Sequence, residues 1–414
     1  MSIEDKCIQF YEDSEYAQKL GYPSNPRMLQ ALGLYPFFIP ISKSEGTEVI
    51  IDDRRLIMLG SNNYLGLATH PKVKEAAVKA IKTYGTGCTG SRLLNGTLDL
   101  HLELEDELAQ FVGKEKALVF STGYQTNLGT LTSILSRNDV IISDKEAHAS
   151  IIDSIFLSKV QKHIQPRFFK HNDIKDLEKV LKGYSLDRNK LVIVDGVFSM
   201  GGDIAPLPKI TPLCKKYNAY LMVDDAHSLG VLGGGRGTAF HYQCMDDVNI
   251  IMGTFSKSFS STGGFIAGKK EVIHWIKHFA RPFIFSASLS PANLATVLAV
   301  LKIMKEEPGL IKRVNQISET MRTEFKGLGY NIGSSQSAIV PIIIGDQFRT
   351  VQAWNMLIKS GIYTNVALPP AVPSKSSLLR TSFMATHTQE QLEKVLDTFQ
   401  KLKNMLQSYR FKKV

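Results

Sequence analysis

Four short apolar runs limit what this chain can fold into. Val140-Ile-Ile-Ser-Asp144, Leu191-Val-Ile-Val-Asp195, Tyr220-Leu-Met-Val-Asp224 and Val248-Asn-Ile-Ile-Met252 each give way to a polar group at their C-terminal end. Continuous runs of this length read as strands buried on both faces. A fifth, Ala117-Leu-Val-Phe120, turns through Ser121-Thr-Gly-Tyr-Gln-Thr-Asn127 into a helix. Helical spacing separates the runs: Leu100, Leu104, Leu108 and Phe111 mark one helix, 174 to 181 another, and 209 to 217 a third. Alternating helices and apolar strands predict an α/β fold with a mainly parallel sheet covered on both faces. Such sheets bind ligands at the C-terminal ends of their strands, so the polar groups there are the ones to examine.

The flanking regions differ in texture. Residues 1–50 read as an N-terminal arm, helical from Glu12 to Leu20 and then rich in proline and aromatic residues through Tyr35-Pro36-Phe37-Phe38-Ile39-Pro40. That segment has no periodicity of its own and is expected to lie against the body of its own subunit or a partner. Thr47 to Ile51 and Leu56 to Leu59 read as a hairpin around Asp52-Asp53-Arg54-Arg55, followed by the polar loop Gly60-Ser-Asn-Asn-Tyr-Leu-Gly66. Val73 to Tyr84 has helical spacing. Gly85-Thr-Gly-Cys-Thr-Gly-Ser-Arg92 is too rich in glycine for a regular element and reads either as a flexible loop or as backbone approaching a ligand or subunit closely. Residues 51–294 are assigned to a large domain and 295–414 to a smaller α+β domain.

The net charge of +10 favours polyanionic ligands or anionic surfaces, but it is scattered. Without an arginine-rich or aromatic-interleaved patch, nucleic acid is not an expected partner. The basic end, with Lys401, Lys403, Arg410, Lys412 and Lys413, reads as a solvated helix end, with peripheral contact with anionic membrane as the alternative. Cys7, Cys88, Cys214 and Cys244 form no C-x-x-C pair and have no histidines at zinc spacing, so no metal site is expected and a reducing, cytoplasmic setting fits. The N-terminus lacks the apolar core of a signal peptide, and no window reaches the roughly 18 apolar residues of a membrane span.

The strand ends supply one kind of chemistry. Ile250 to Phe259 carries Thr254-Phe-Ser256-Lys257, two hydroxyl donors and an amine. Gly123-Tyr124 stands at a helix N-terminus, where free N–H groups and the helix dipole attract phosphate. Asp224 and His227 follow another strand, and His148 a third. A buried aspartate can keep a pyridine nitrogen protonated and make the ring an electron sink. Taken singly, each has a structural explanation: a solvated lysine, a hydrogen-bonded histidine, an aspartate capping a turn. Together they are the parts of a pyridoxal 5'-phosphate (PLP) site.

Asp224-Asp-Ala-His227, Gly253-Thr-Phe-Ser-Lys257, Gly196-Val-Phe-Ser-Met200, Ser121-Thr-Gly-Tyr124 and Gly60-Ser-Asn-Asn-Tyr-Leu-Gly66 closely resemble the α-oxoamine synthases, from about residue 30 to about residue 400. These are fold-type I PLP-dependent transferases that join an amino acid to an acyl-CoA with loss of carbon dioxide. The resemblance implies a large domain with a mainly parallel seven-stranded sheet and a smaller C-terminal α+β domain. Gly85 to Arg92, Arg281-Pro-Phe-Ile-Phe-Ser286 and Val366-Ala-Leu-Pro-Pro-Ala-Val-Pro373 look most like the branch that condenses L-serine with a long-chain acyl-CoA, palmitoyl-CoA, to give 3-ketosphinganine for sphingolipid biosynthesis. Sister enzymes using glycine or alanine, a transaminating relative and a non-catalytic partner subunit are the alternatives.

Carried over position by position, the resemblance implies that Lys257 binds the cofactor covalently and later moves the Cα proton. Asp224 would pair with the pyridine nitrogen, His227 with the phenolic oxygen, and His148 would stack on the ring as a catalytic residue. Gly123, Tyr124, Thr254 and Ser256 would hold the ring system or its phosphate, with Ser199 nearby. Ser286 would reach the phosphate of the other subunit, which implies a homodimer with shared sites. Arg380 would grip the amino-acid carboxylate, helped by Asn62. The chain departs from some bacterial members at Leu368, twelve residues before Arg380, where they carry arginine. The second cationic contact implied for those enzymes is absent here.

Overall fold

The computed structural model describes residues 1–408, so Arg410, Lys412 and Lys413 of the basic tail lie outside the described residues. Its central sheet has seven strands in the spatial order Lys116–Phe120, Gly264–Gly268, Ile250–Thr254, Tyr220–Asp224, Lys190–Asp195, Val140–Asp144, Gln165–Phe169. Gly264–Gly268 runs antiparallel to both neighbours, and the other pairings are parallel. Every residue of Val140–Asp144, Lys190–Asp195 and Ile250–Thr254 is buried, which is why these strands read as continuous apolar runs. The exception in type, Lys190, satisfies its buried ammonium on the carbonyls of Ser185 and Arg188 at 2.7 and 2.6 Å. Ile141, Ile193 and Met222 of the sheet meet Leu131, Ile151 and Ile276 of the covering helices in one apolar core.

The strand expected from Val248 begins at Ile250. The side chain of Asn249 accepts the Leu221 N–H at 2.8 Å, so a side chain occupies the ladder position that backbone would have taken. Three of these strands are in register near their C-terminal ends: Asp195 stands opposite Asp224, and Asp224 opposite Met252.

By contact density the chain falls into two compact units, residues 62–199 with 203–313, and residues 1–61 with 200–202 and the described residues from 314 on. In the second unit Ser377–Ser382 is the middle strand of an antiparallel sheet between Ile339–Gly345 and Asn365–Ala367. Phe325, Phe383 and Phe399 are its fully buried aromatic centre. The proline-rich aromatic segment lies against this same body: Leu34, Phe37 and Ile39 pack on its core, and Tyr22 meets Phe37 edge to face at 6.2 Å.

Helix in the arm is more extensive than its spacing predicts. It begins at Ile3 under a capping box of Ser2 and Asp5, is interrupted at Asp13, and recurs at Pro26–Ala31. The hairpin turn is shorter than expected. Asp52 and Asp53 both have positive φ, 47° and 56°, the two-residue geometry that suits strand twist, so Arg54 and Arg55 join the second strand.

The glycine-rich stretch is exposed from Gly85 to Gly87 and packs only at its end, Gly90 to Arg92. The Arg92 guanidinium is buried on the Glu105 carboxylate at 2.7 and 3.3 Å, and that carboxylate also accepts the Val119 N–H at 3.0 Å. A Cβ on Gly96 would fall 2.3 Å from the Gly90 carbonyl oxygen, so the turn closes only around glycine. Among the described residues no helix is long and apolar enough to cross a membrane.

Candidate active site

The two consecutive aspartates after the strand Tyr220–Asp224 diverge. Asp224, 3% exposed, accepts the Asn127 side-chain N–H on Oδ2 at 2.8 Å and the Ala226 backbone N–H on Oδ1 at 3.0 Å. Asp225 accepts the Ser228 hydroxyl and the Thr238 N–H, and burial, partly offset by those bonds, pushes its carboxyl up to about 6. It holds the following loop, which leaves Asp224 for a ligand. His227 Nδ1 lies 2.7 Å from the hydroxyl of buried Tyr64, and that hydroxyl donates to Asn62 Oδ1 at 3.2 Å. The polar loop before Gly66 is thereby tied to the same strand end.

The helix Gly123–Ile134 starts directly on Thr254. A Cβ at position 123 would sit 2.7 Å from Thr254 Oγ1, so glycine is what allows the helix N-terminus to approach that hydroxyl. Thr254 Oγ1 is 3.0 Å from Ser256 Oγ, and Ser286 Oγ accepts from Gln125 Nε2 at 3.0 Å on the first turn of the helix. Free N–H groups, the positive end of a helix dipole and the Thr254 and Ser256 hydroxyls suit a phosphate dianion. Tyr124 is exposed, and its hydroxyl donates to Asp153, which raises the phenol above its ordinary range.

His148 caps the helix Ala149–Lys162, its Nδ1 lying 2.8 Å from Ser150 Oγ. Asp195 accepts the His148 backbone N–H at 3.1 Å; burial, then the neighbouring Asp224 charge, hold its carboxyl well above the usual carboxylate range. Ser199 follows Val197 and Phe198, whose turn is closed by the Phe198 N–H on the Asp203 carbonyl at 3.0 Å. Lys257 is half-buried three residues after Thr254.

The structure thus brings Gly123, Thr254 and Ser256 together directly, with Ser286 beside the same helix. It joins Asp224 to His148 through Asn127 and Ser150, and His227 to Asn62 through Tyr64. Arg380 belongs to the other compact unit, 5% exposed on Ser377–Ser382 in register with Pro341 and Asn365. Leu368 is buried in that unit's apolar core. Asn127, Ser150, Tyr64 and Asp195 were not singled out as site residues from sequence. Asn127 and Tyr64 stand inside motifs read there, but neither is at a strand end.

A charged clamp braces the loop leading to His148. The His171 ring lies between Asp144 Oδ1 at 3.1 Å and Asp203 Oδ2 at 2.8 Å, edge-on to Phe198 with ring centroids 4.4 Å apart. Burial alone would lower its pKa, but the bonds to the two carboxylates outweigh burial and raise it to about 10. Because the folded value exceeds the unfolded one, the protonated clamp contributes fully below about pH 6.5 and is lost as pH rises through about 10. The difference in Tm between wild type and His171→Gln is therefore expected to be largest near pH 6 and to close towards pH 10. Thermal melts across that range measure it; a gap that widens with pH would contradict the clamp.

These groups suit a phosphorylated pyridine aldehyde: a cradle for the phosphate, a buried acid for the ring nitrogen, an amine for the carbonyl. That defines the class as PLP-dependent. The chain belongs to the aminotransferase class I and II family, whose model matches residues 54–399, and within it to the α-oxoamine synthases. It is 47% identical to the serine palmitoyltransferase of Bacteriovorax stolpii over 91% of this chain and 90% of that protein. An 8-amino-7-oxononanoate synthase of Thermoanaerobacter pseudethanolicus is 40% identical over 91% of this chain and 95% of its own length. The solved serine palmitoyltransferase of S. paucimobilis with a bound PLP–myriocin aldimine superposes with a TM-score of 0.91 at 33% identity, covering 99% of this chain and all of that one.

Proposed function

We propose that this chain is a PLP-dependent acyltransferase that condenses L-serine with palmitoyl-CoA, releasing coenzyme A and carbon dioxide and forming 3-ketosphinganine. The observation that carries the substrate assignment is the near full-length identity of 47% and 46% with two serine palmitoyltransferases, against 40% with an 8-amino-7-oxononanoate synthase. When bound, PLP supplies an electron sink for the charge left on Cα after loss of a proton or of carbon dioxide.

The chain's own residues do the rest. Lys257 Nζ is the amine that would hold the cofactor and, when free of it, the base that would take the Cα proton of serine and later return one. Asp224 would keep the pyridine nitrogen protonated, His227 would bond the phenolic oxygen, His148 would stack on the ring, and Ser199 would lie near the cofactor. Gly123, Tyr124, Thr254 and Ser256 would hold the ring system or its phosphate, and Arg380 would grip the serine carboxylate, with Asn62 the second candidate for that task. Leu368 stands where some bacterial members carry a second arginine, so the carboxylate grip here rests on Arg380.

The functional unit is a homodimer in which Ser286 reaches the partner's phosphate. Its support is an apolar cluster beside Ser286: Leu94 is 78% and Phe285 70% exposed, on segments joined by the bridge Ser91 to Ala287. The setting is cytoplasmic, with peripheral contact with the inner membrane face as the alternative. Product analysis with serine, glycine and alanine against acyl-CoAs of increasing length tests the reading. A 3-keto long-chain base from serine and palmitoyl-CoA is the expected main product. Preference for glycine or alanine, or a keto acid formed without CoA, would refute it.

A further inference from the structure

A buried amide connects the two sides of the site. Asn127, fully buried on the helix Gly123–Ile134, donates through Nδ2 to Asp224 Oδ2 at 2.8 Å and to Ser150 Oγ at 2.9 Å. Ser150 Oγ in turn lies 2.8 Å from His148 Nδ1. The Asn127 Oδ1 is buried with no hydrogen-bond partner among the described residues. An apolar side chain of similar size would avoid that cost, so the amide is explained by its two donors.

The direction of every bond in this line follows from what each group can give. A carboxylate only accepts, so Asp224 fixes which end of the Asn127 amide faces it. Turned over, the amide would set its oxygen against the carboxylate. Both amide protons are thereby committed, and Ser150 Oγ accepts one of them. The Ser150 hydroxyl proton is left for His148 Nδ1, to which the Ser150 backbone N–H also donates at 3.2 Å. With two donors aimed at Nδ1, the ring proton belongs on Nε2.

We propose that Asn127 is a positioning residue that orients the Asp224 carboxylate and, through Ser150, sets the tautomer of His148, so that one amide orders the groups on two sides of the cofactor. The proposal rests on the roles given above to Asp224 and His148. Asn127 itself touches no reacting atom.

Two measurements test it. Nitrogen-15 labelling of histidine, with His148 assigned through His148→Asn, reads the tautomer in protein with and without PLP. The proton is expected on Nε2 in both, and a proton on Nδ1 overturns the proposal. PLP labelled with nitrogen-15 in its ring reads protonation at Asp224 in wild type and in Asn127→Leu. The variant's ring signal is expected to move towards the neutral form, with kcat about 10- to 100-fold lower and KM for serine changed less than about threefold. An unchanged ring signal in a variant that still binds PLP also overturns it. Should Asn127→Leu fail to fold, the wild-type tautomer still decides. Wild-type protein that takes up no PLP would refute the functional reading, whereas the histidine signal of that cofactor-free protein would still settle the amide relay.

Discussion

Lys257→Ala is expected to abolish turnover, by roughly 10,000-fold or more, and to remove the visible absorbance of covalently held cofactor. On the proposed reading the lysine would do two jobs that no neighbour could take over: supply the amine that joins the aldehyde and the base that moves the Cα proton. The phosphate cradle does not depend on it: the helix N-terminus at Gly123 and the Thr254 and Ser256 hydroxyls are ordered by one another. The variant should therefore keep its fold and bind PLP reversibly, so that dialysis strips the cofactor. Circular dichroism, the absorbance spectrum before and after dialysis, and product formation from serine and palmitoyl-CoA measure the three effects. Turnover within tenfold of wild type would remove Lys257 from the chemistry.

Much of this candidate site is legible in the sequence because of where the chain puts its polar residues. In a buried parallel strand nearly every side chain is apolar, so the residue that ends the run stands out, as Asp224 and Thr254 do. Glycine at 123 was legible for a related reason, since a strand-to-helix turn there implied a phosphate cradle, although the contact requiring it, with Thr254, is between distant segments. Asn127 and Ser150 were harder to see. They lie within helices, where a polar residue usually faces water, and only the packing of Gly123–Ile134 beside Ala149–Lys162 makes them partners. Asp225 shows the converse limit, because adjacent aspartates look alike in sequence and only their partners separate them, Asn127 and Ala226 for Asp224, Ser228 and Thr238 for Asp225. The arm illustrates a third cause: Ile3–Glu12 has no buried residue to give it a readable face, and local capping defines it.

Asp224→Asn is expected to leave the cofactor attached to Lys257 but to lower kcat by roughly 100- to 1000-fold. Two effects act in the same direction. An amide cannot be the anion that holds a pyridinium proton, so the ring loses most of its capacity to take up charge. An amide also cannot reproduce the local bonding. Asp224 accepts from Asn127 on one oxygen and from the Ala226 N–H on the other, and asparagine has one oxygen for those two donors. Whichever way it turns, its NH2 meets a donor. The neighbouring strand adds a compensation that fails by position. Asp195 stands opposite Asp224, and with the 224 charge gone one cause of its raised pKa disappears, so Asp195 ionises more readily. Its Oδ2, however, is already committed to the His148 backbone N–H, which fixes the new charge beneath the histidine turn rather than at residue 224. Steady-state kinetics with serine, together with the visible spectrum of the bound cofactor, measure the outcome. Wild-type kcat with an unshifted spectrum would show that Asp224 is not the acid that faces the ring.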